Sequence, residues 1–380
     1  MIEDERRYFA PGGLCMPGGP STWHVLDWEQ RRLIAVTMDE EQEDEETAVQ
    51  HLRKLIGALE PNVHAIPLSR DGALISVSTD PRDEVSASVW YPSLQEVEKP
   101  DGVETVVWST LEELERLSPN VDLVSYDPSP EGTETIGSRK AVFKYYFINQ
   151  FLQRFWHEMN LVIRLPPHPN IVPFDRLVLD DPEGHIIGFT TLYMSGGTIN
   201  KNISRIFKLD WLKQLTRVVD DLNLKFGIMH QDIASRNLLV NPKTDALVLF
   251  DFNYSSRIGH TGHVKERDDV KGVVFTIFEM ITRDEHFRDA AYDQQDPGDV
   301  ETLDEWVKHP EVSLDHAVSE YRAVLNEWAE KRRTGNQIAI YTEAPEWIDW
   351  PNPNNTPDGI TLSWARPAPQ SSFDSSDAGT

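Results

Sequence analysis

Between Gly227 and Gly259 the chain reads GIMHQDIASRNLLVNPKTDALVLFDFNYSSRIG, and this stretch constrains the fold more than any other. Two apolar runs, Leu238 to Val240 and Ala246 to Phe250, flank NPKTD, whose Asn, Pro and Asp favour a turn. The pattern predicts a turn, strand, turn, strand unit, a single hairpin that brings Asp232, Asn237 and Asp251 to one cleft. Phosphoryl transfer from ATP needs such a set. One carboxylate orients the attacking hydroxyl, while an amide and a second carboxylate hold Mg²⁺ against the phosphates. Each residue alone has an ordinary role as a turn former or helix cap. Three in register, with apolar strands between them, argue for chemistry.

With those residues in view, HQDIASRN resembles the catalytic loop of the protein-kinase superfamily, and DFN at Asp251 to Asn253 resembles its metal-binding DFG. The likeness extends over roughly residues 120 to 335. AVFK resembles the strand with the ATP-binding lysine, here Lys144, and RFWHEMNLVIRL the helix with its partner, here Glu158. HPNIV follows at His168 to Val172, GFTTLYMSGGTI resembles the strand and hinge between two lobes, and DDVKGVVFTIFEM a buried helix that opens on Asp269. The resemblance implies ATP and Mg²⁺ as cofactors, with Asp232 as the catalytic carboxylate and Asn237 and Asp251 as metal ligands. It also implies that adenine lies against the hinge, with Thr191 at the back of the pocket and the backbone of Leu192 and Met194 on the base edge. Val142 would form the roof and Leu239 the floor. His230 is expected to be structural, and Arg236 a local anchor of the loop.

The residues themselves support part of this. Lys144 ends an apolar alternation and precedes aromatic residues, so a strand would hold its ammonium inside a cleft, where it needs a counter-charge. Glu158 lies among Phe151, Phe155, Leu161 and Val162, an apolar pattern expected for a helix packed on that strand. Glu112, Glu113 and Glu115 precede the strand and fit the role less well.

Four departures from the protein-kinase pattern shape the expectation. SYDPSPEGTETIGSRKAVFK lacks a GxGxxG and keeps only Gly132 and Gly137. Gln231 replaces the arginine that receives an activation-loop phosphate in the family, so activity is not expected to be switched that way. Asn253 replaces the last glycine of DFG, and asparagine tolerates the positive φ expected there. Only 17 residues separate Asp251 from Asp269, with no APE-like motif among them. A segment that short cannot build the usual peptide platform, so the hydroxyl acceptor is either a small molecule or a protein docked differently.

At 380 residues the chain has room for a two-lobed core and about a hundred residues before it. With 63 Asp and Glu against 36 Lys and Arg, its net charge of −27 opposes binding to nucleic acid or an anionic membrane. Cys15 is its one cysteine, so an intrachain disulfide or a Cys-based metal site is excluded. The opening MIEDERRYF is unlike a signal peptide and no run is apolar enough to span a bilayer, so an intracellular protein, cytoplasmic or nuclear, is expected.

The expected fold is α+β: a two-lobed protein-kinase-like fold, with a small β-rich N-lobe over 119–194 and a mainly helical C-lobe over 195–340. Residues 1–118 form an N-terminal extension, a small α+β layer or part of the N-lobe, with the solvated block Asp39 to Glu46, a helix from Thr47 to Leu59 and a strand near Ala73 to Val77. Residues 341–380 form a strap with Trp347, Trp350 and Trp364, then a disordered tail. The expected function is ATP- and Mg²⁺-dependent phosphoryl transfer to a hydroxyl, most simply by a divergent protein kinase. A pseudokinase scaffold and a kinase-like small-molecule phosphotransferase stay open.

Overall fold

The computed structural model describes residues 2, 4–87, 91–129, 137–145, 147–148, 151–181, 184–202, 204–335 and 337–351, and the fold is α+β. Gly132, Trp364 and the tail's last residues lie outside that set.

The chain opens with a one-turn helix α1 (Asp4–Arg7) and strands β1 (Tyr8–Cys15), β2 (Ser21–Asp27) and β3 (Arg32–Met38), which pair antiparallel. Helix α2 (Glu46–Leu55) then crosses over to β4 (Ala65–Leu68), parallel to β3. A 3₁₀ turn, Ile56–Ala58, completes the helix expected over this stretch. Strand alternation sends successive residues to opposite faces. The cross-strand pair Val25 and Ile34 joins Val49, Leu52 and Ile66 in a core private to this module, whereas the next pair, Leu26 and Leu33, enters the main core. The expected strand near Ala73 to Val77 is not formed. Isolated bridges from Leu74 to Leu68 and from Ser78 to Ala65 cover the edge of β4 instead, and Leu74, Ile75 and Val77 are exposed, without a second layer to make them a strand.

A six-stranded sheet follows, built from β5 (Thr105–Val107), β6 (Glu112–Ser118), β7 (Val121–Tyr126), β8 (Arg139–Tyr145), β9 (Phe174–Leu179) and β10 (Ile186–Leu192), in the order β5-β9-β10-β8-β7-β6. It takes strands from both sides of residue 118. Lys144 pairs with Val121 and Phe189, and Val142 with Thr191, so these residues share one face. On that face lies α3 (Leu152–Val162), whose Phe155 meets Phe189 with ring centroids 5.5 Å apart. Phe143, Tyr145 and Asp122 take the other face.

That other face receives the front module. Arg31, in the turn between β2 and β3, donates through Nε to the Tyr145 hydroxyl (2.8 Å) and through Nη2 to Asp122 (2.9 Å), and its Nη1 lies 3.0 Å from Glu113. Asp122 is wholly buried.

The remainder is mainly helical. It comprises α4 (Leu209–Asp220), which runs into a π-turn at Asp221–Lys225, then α5 (Asp269–Thr282), α6 (Gly298–Glu301) and α7 (Val318–Thr334). Between α4 and α5 lie β11 (Ile228–Met229), β12 (Leu238–Asn241), β13 (Ala246–Leu249) and β14 (Ser256–Arg257). Asp268 caps α5 by accepting from the Lys271 N–H.

The segment 341–351 packs as a strap, with Ile348 and Trp350 in the main core and Trp347 exposed. Its backbone bonds run from Tyr341 N–H to the Ile258 carbonyl (2.9 Å) and from Ile348 N–H to the Phe226 carbonyl (3.1 Å). Gly227 makes room for it and Gly259 for the residues just before it: a Cβ there would lie 2.6 Å from the Tyr341 carbonyl oxygen and 2.5 Å from that of Ala339, respectively. No helix among the described residues is long and apolar enough to cross a membrane.

Candidate active site

The hairpin expected around NPKTD is formed: β12 and β13 pair from Leu238 with Leu249 to Asn241 with Ala246. One further bond, Phe250 N–H to the Asn237 carbonyl (3.1 Å), continues the ladder towards Asp251. Apolar residues in the strands thus set the polar ones just beyond them side by side.

Asn237 donates its amide nitrogen to both the backbone carbonyl and the carboxylate of Asp232, each at 2.8 Å. With the nitrogen so fixed, the side-chain oxygen is the atom left for a cation. Arg236, more than half exposed, also pairs with the Asp232 carboxylate, which makes it the local anchor expected.

Lys144 joins this hairpin to the sheet. Its Nζ donates to both oxygens of Glu158, at 2.6 and 2.7 Å, and to the Asp251 carboxylate. Glu158 also accepts from the Phe252 N–H (3.0 Å), so α3 is tied to the residue after Asp251. Burial opposes the Lys144 charge, but attraction to Asp251 and Glu158 outweighs it and holds the ammonium above the ordinary lysine range. The carboxylates move apart. Burial pushes the deeper Glu158 up despite its lysine, whereas at the more open Asp251 attraction to Lys144 overcomes burial and the pKa falls.

The loop is held from behind. His230, fully buried, bonds the Phe250 carbonyl through Nε2 (3.1 Å) and sets its ring edgewise on Phe252, the structural role expected of it. Asp269 accepts from the backbone N–H groups of His230 (2.8 Å) and Gln231 (2.7 Å) and from the Asn223 amide (2.8 Å). Burial nevertheless pushes its carboxyl up, with those donors acting the other way.

Gln231 is bonded through both atoms of its amide. Its amide nitrogen donates to the carbonyls of Tyr254 (2.6 Å) and Gly262 (2.9 Å), and its oxygen accepts from Val264 N–H. A neutral side chain therefore fastens both ends of the short segment to the loop. The left-handed residues here are Gln231 (φ 63°) and Asp251 (φ 66°); Asn253 is not one of them, contrary to expectation. The turn is taken at Asp251, where the pull of Lys144 sets the side chain, and the Asn253 side-chain oxygen is buried without a hydrogen bond.

Of the residues assigned to adenine, Val142 and Thr191 share the Lys144 face. Leu239 lies in β12, where it bridges Thr198. The Leu192 N–H is occupied by the Pro173 carbonyl (3.1 Å), which leaves only its own carbonyl for a base edge, and the Met194 carbonyl accepts from Gly197 N–H (3.2 Å). Glu113, set aside earlier, pairs with Arg31 and Arg116 on the opposite side of the sheet. Gln231's clamp and the neighbours of Trp350 carried no motif, and the density of tryptophans after Tyr341 was the one signal for the latter.

Among the described residues, no cluster of three or more His, Cys, Asp and Glu side chains could hold a metal ion. The pair Asn237 and Asp251 offers two hard oxygens, a set that suits Mg²⁺ when phosphates and water complete its shell. No protein-family model matches the chain, and no curated protein matches it.

Proposed function

We propose that the chain is a protein-kinase-like phosphotransferase with a two-lobed architecture, which moves the γ-phosphoryl group of ATP to a hydroxyl acceptor. The carrying observation is the convergence at Lys144, where a lysine from the sheet, a glutamate from α3 and an aspartate from the hairpin meet. In this reading Lys144, positioned by Glu158, binds the α- and β-phosphates, with Val142, Thr191, Leu192, Met194 and Leu239 around the adenine. Asp251 and the Asn237 oxygen would hold Mg²⁺, which would neutralise the phosphate charge. Asp232 orients the acceptor hydroxyl and takes its proton as the new O–P bond forms, and ADP leaves with the electron pair of the broken bond. Arg236 is exposed enough to release Asp232 when the acceptor arrives.

The acceptor is a hydroxyl on a protein or a small molecule. The short, Gln231-fastened segment favours one that needs no long peptide platform. One observation favours the rival reading of a nucleotide-free scaffold: Lys144 is already satisfied by two carboxylates.

The deciding experiment is a thermal-shift titration with ATP, with and without Mg²⁺, beside Asp251→Ala. A ligand that binds only the native state raises its stability, by about 2.7 kcal/mol at 100 times Kd. A Mg²⁺-dependent rise lost in the variant supports the phosphotransferase; no rise at millimolar ATP sinks it in favour of the scaffold.

A further inference from the structure

We infer that the strap, residues 341–351, is a positioning element of the candidate site, with Trp350 as the residue that holds Glu158 in reach of Lys144. This rests on the site reading above, and its geometry stands apart from any nucleotide.

Glu158 is carried by α3, whose sheet-facing side is fixed by Phe155 against Phe189. Its two preceding residues face the strap. Trp156 donates its Nε1–H to the Pro351 carbonyl (3.3 Å), and Trp350 donates its Nε1–H to Nδ1 of His157 (3.4 Å), the rings meeting edge to face with centroids 6.1 Å apart. Trp350 is 3% exposed, so withdrawal of the strap would strip Trp156 of its acceptor and uncover an apolar flank of α3.

The strap's other side grips the segment after Asp251. Arg257 donates to the Trp350 carbonyl (3.0 Å), pairs with Asp349, and lays its guanidinium 4.7 Å from the Trp350 ring and 5.5 Å from that of Tyr341. Arg257 in turn pairs with Ile228 across β11 and β14, two residues before His230 and the Asp232 loop. One short stretch therefore touches the helix of Glu158 on one side and, on the other, β14, which follows Asp251 and pairs with β11 just before the Asp232 loop. Lys144 engages Glu158 and Asp251 together, and the strap ties the helix that carries the first to the segment that follows the second.

The test uses the full chain and reads Lys144 chemistry without nucleotide. Acetylation of Lys144 by acetic anhydride is followed by mass spectrometry against exposed lysines, well below each variant's melting point, with hydrogen exchange over 152–162 measured alongside. Trp350→Ala is expected to raise Lys144 acetylation several-fold relative to the exposed lysines, since an Nζ no longer bonded by both Glu158 oxygens is freer to attack the reagent. It is also expected to speed exchange in α3. Trp350→Phe keeps a ring over Arg257 without the indole donor and is expected to fall between parent and Trp350→Ala.

If Trp350 acts through Glu158, the substitution adds nothing to Lys144 reactivity in a Glu158→Gln background. A lower melting point with Lys144 reactivity and α3 exchange at parental values overturns the proposal and leaves the strap as a cover. Should Trp350→Ala fail to fold, Trp350→Phe decides by the same two readouts. Absence of a MgATP shift in a parent whose Lys144 responds to the strap would count against the phosphotransferase alone.

Discussion

Against each face of strands β7 and β8 lies a cation paired with two carboxylates, and the two clusters differ in what adjoins them. Behind the sheet, Arg31 engages Tyr145, Asp122 and Glu113 through all three guanidinium nitrogens, and Asp122 is sealed from solvent. In front, Lys144 engages Glu158 and Asp251, again one sealed and one part-exposed carboxylate, but the ladder step beside Asp251 brings Asn237, whose amide nitrogen is committed to Asp232 and whose oxygen is left over. A buried ion pair is therefore no marker of a site by itself. The front cluster becomes a candidate because Asn237 and Asp232 adjoin it, whereas the back cluster ties the front module to the sheet.

This contrast can be broken by substitution, and the largest effect is expected in front. Asp232→Ala should lower phosphoryl transfer by about 10²- to 10⁴-fold, as loss of a general base does, with nucleotide-induced stabilisation retained. Equal loss of both would point to misfolding. Behind the sheet, Arg31→Ala should leave Asp122 buried without its cation and cost about 3–5 kcal/mol in urea unfolding. The comparison fails if that variant keeps parental stability, or if its remaining folded fraction no longer responds to MgATP.

Asp251→Ala should reverse the pattern, removing a MgATP stabilisation of about 2.7 kcal/mol at 100 times Kd while the unliganded protein stays folded. The smallest expected effect concerns pH. Burial, Arg257 and His260 hold the His157 pKa below its ordinary value of 6.5, so the unfolded chain takes up this proton more readily than the folded one. The stability from neutral His157 is complete above 6.5 and declines as pH falls below it towards the depressed folded value. The denaturation midpoint should thus drop on acidification, less so in His157→Gln, and an unchanged slope would remove His157 from the account.

Legibility in the sequence followed distance along the chain. The hairpin from Leu238 to Leu249 was readable because its alternation, turn and polar ends are contiguous, and β8, α3 and α5 because each carries its pattern within a few turns. The Lys144 and Glu158 pairing needed the family resemblance, since nothing in 14 residues of spacing states that two elements will face each other. Arg31 reaches Asp122 across 91 residues, and no local pattern announces it. Asn253 misled because residue type was used to place a left-handed turn that the backbone takes two residues earlier, at Asp251. Leu74 to Val77 misled because β-forming side chains make a strand only where a second layer covers them.

Gly227 and Gly259 lie in left-handed conformations, φ 72° and 71°, with the carbonyl of Tyr341 in the strap and that of Ala339 just before it where their side chains would begin. The strap's berth is thus a mould cut in missing carbon. A single methyl group at either position becomes a wedge, lifting the strap from outside while every side chain of the strap and of the cleft keeps its identity.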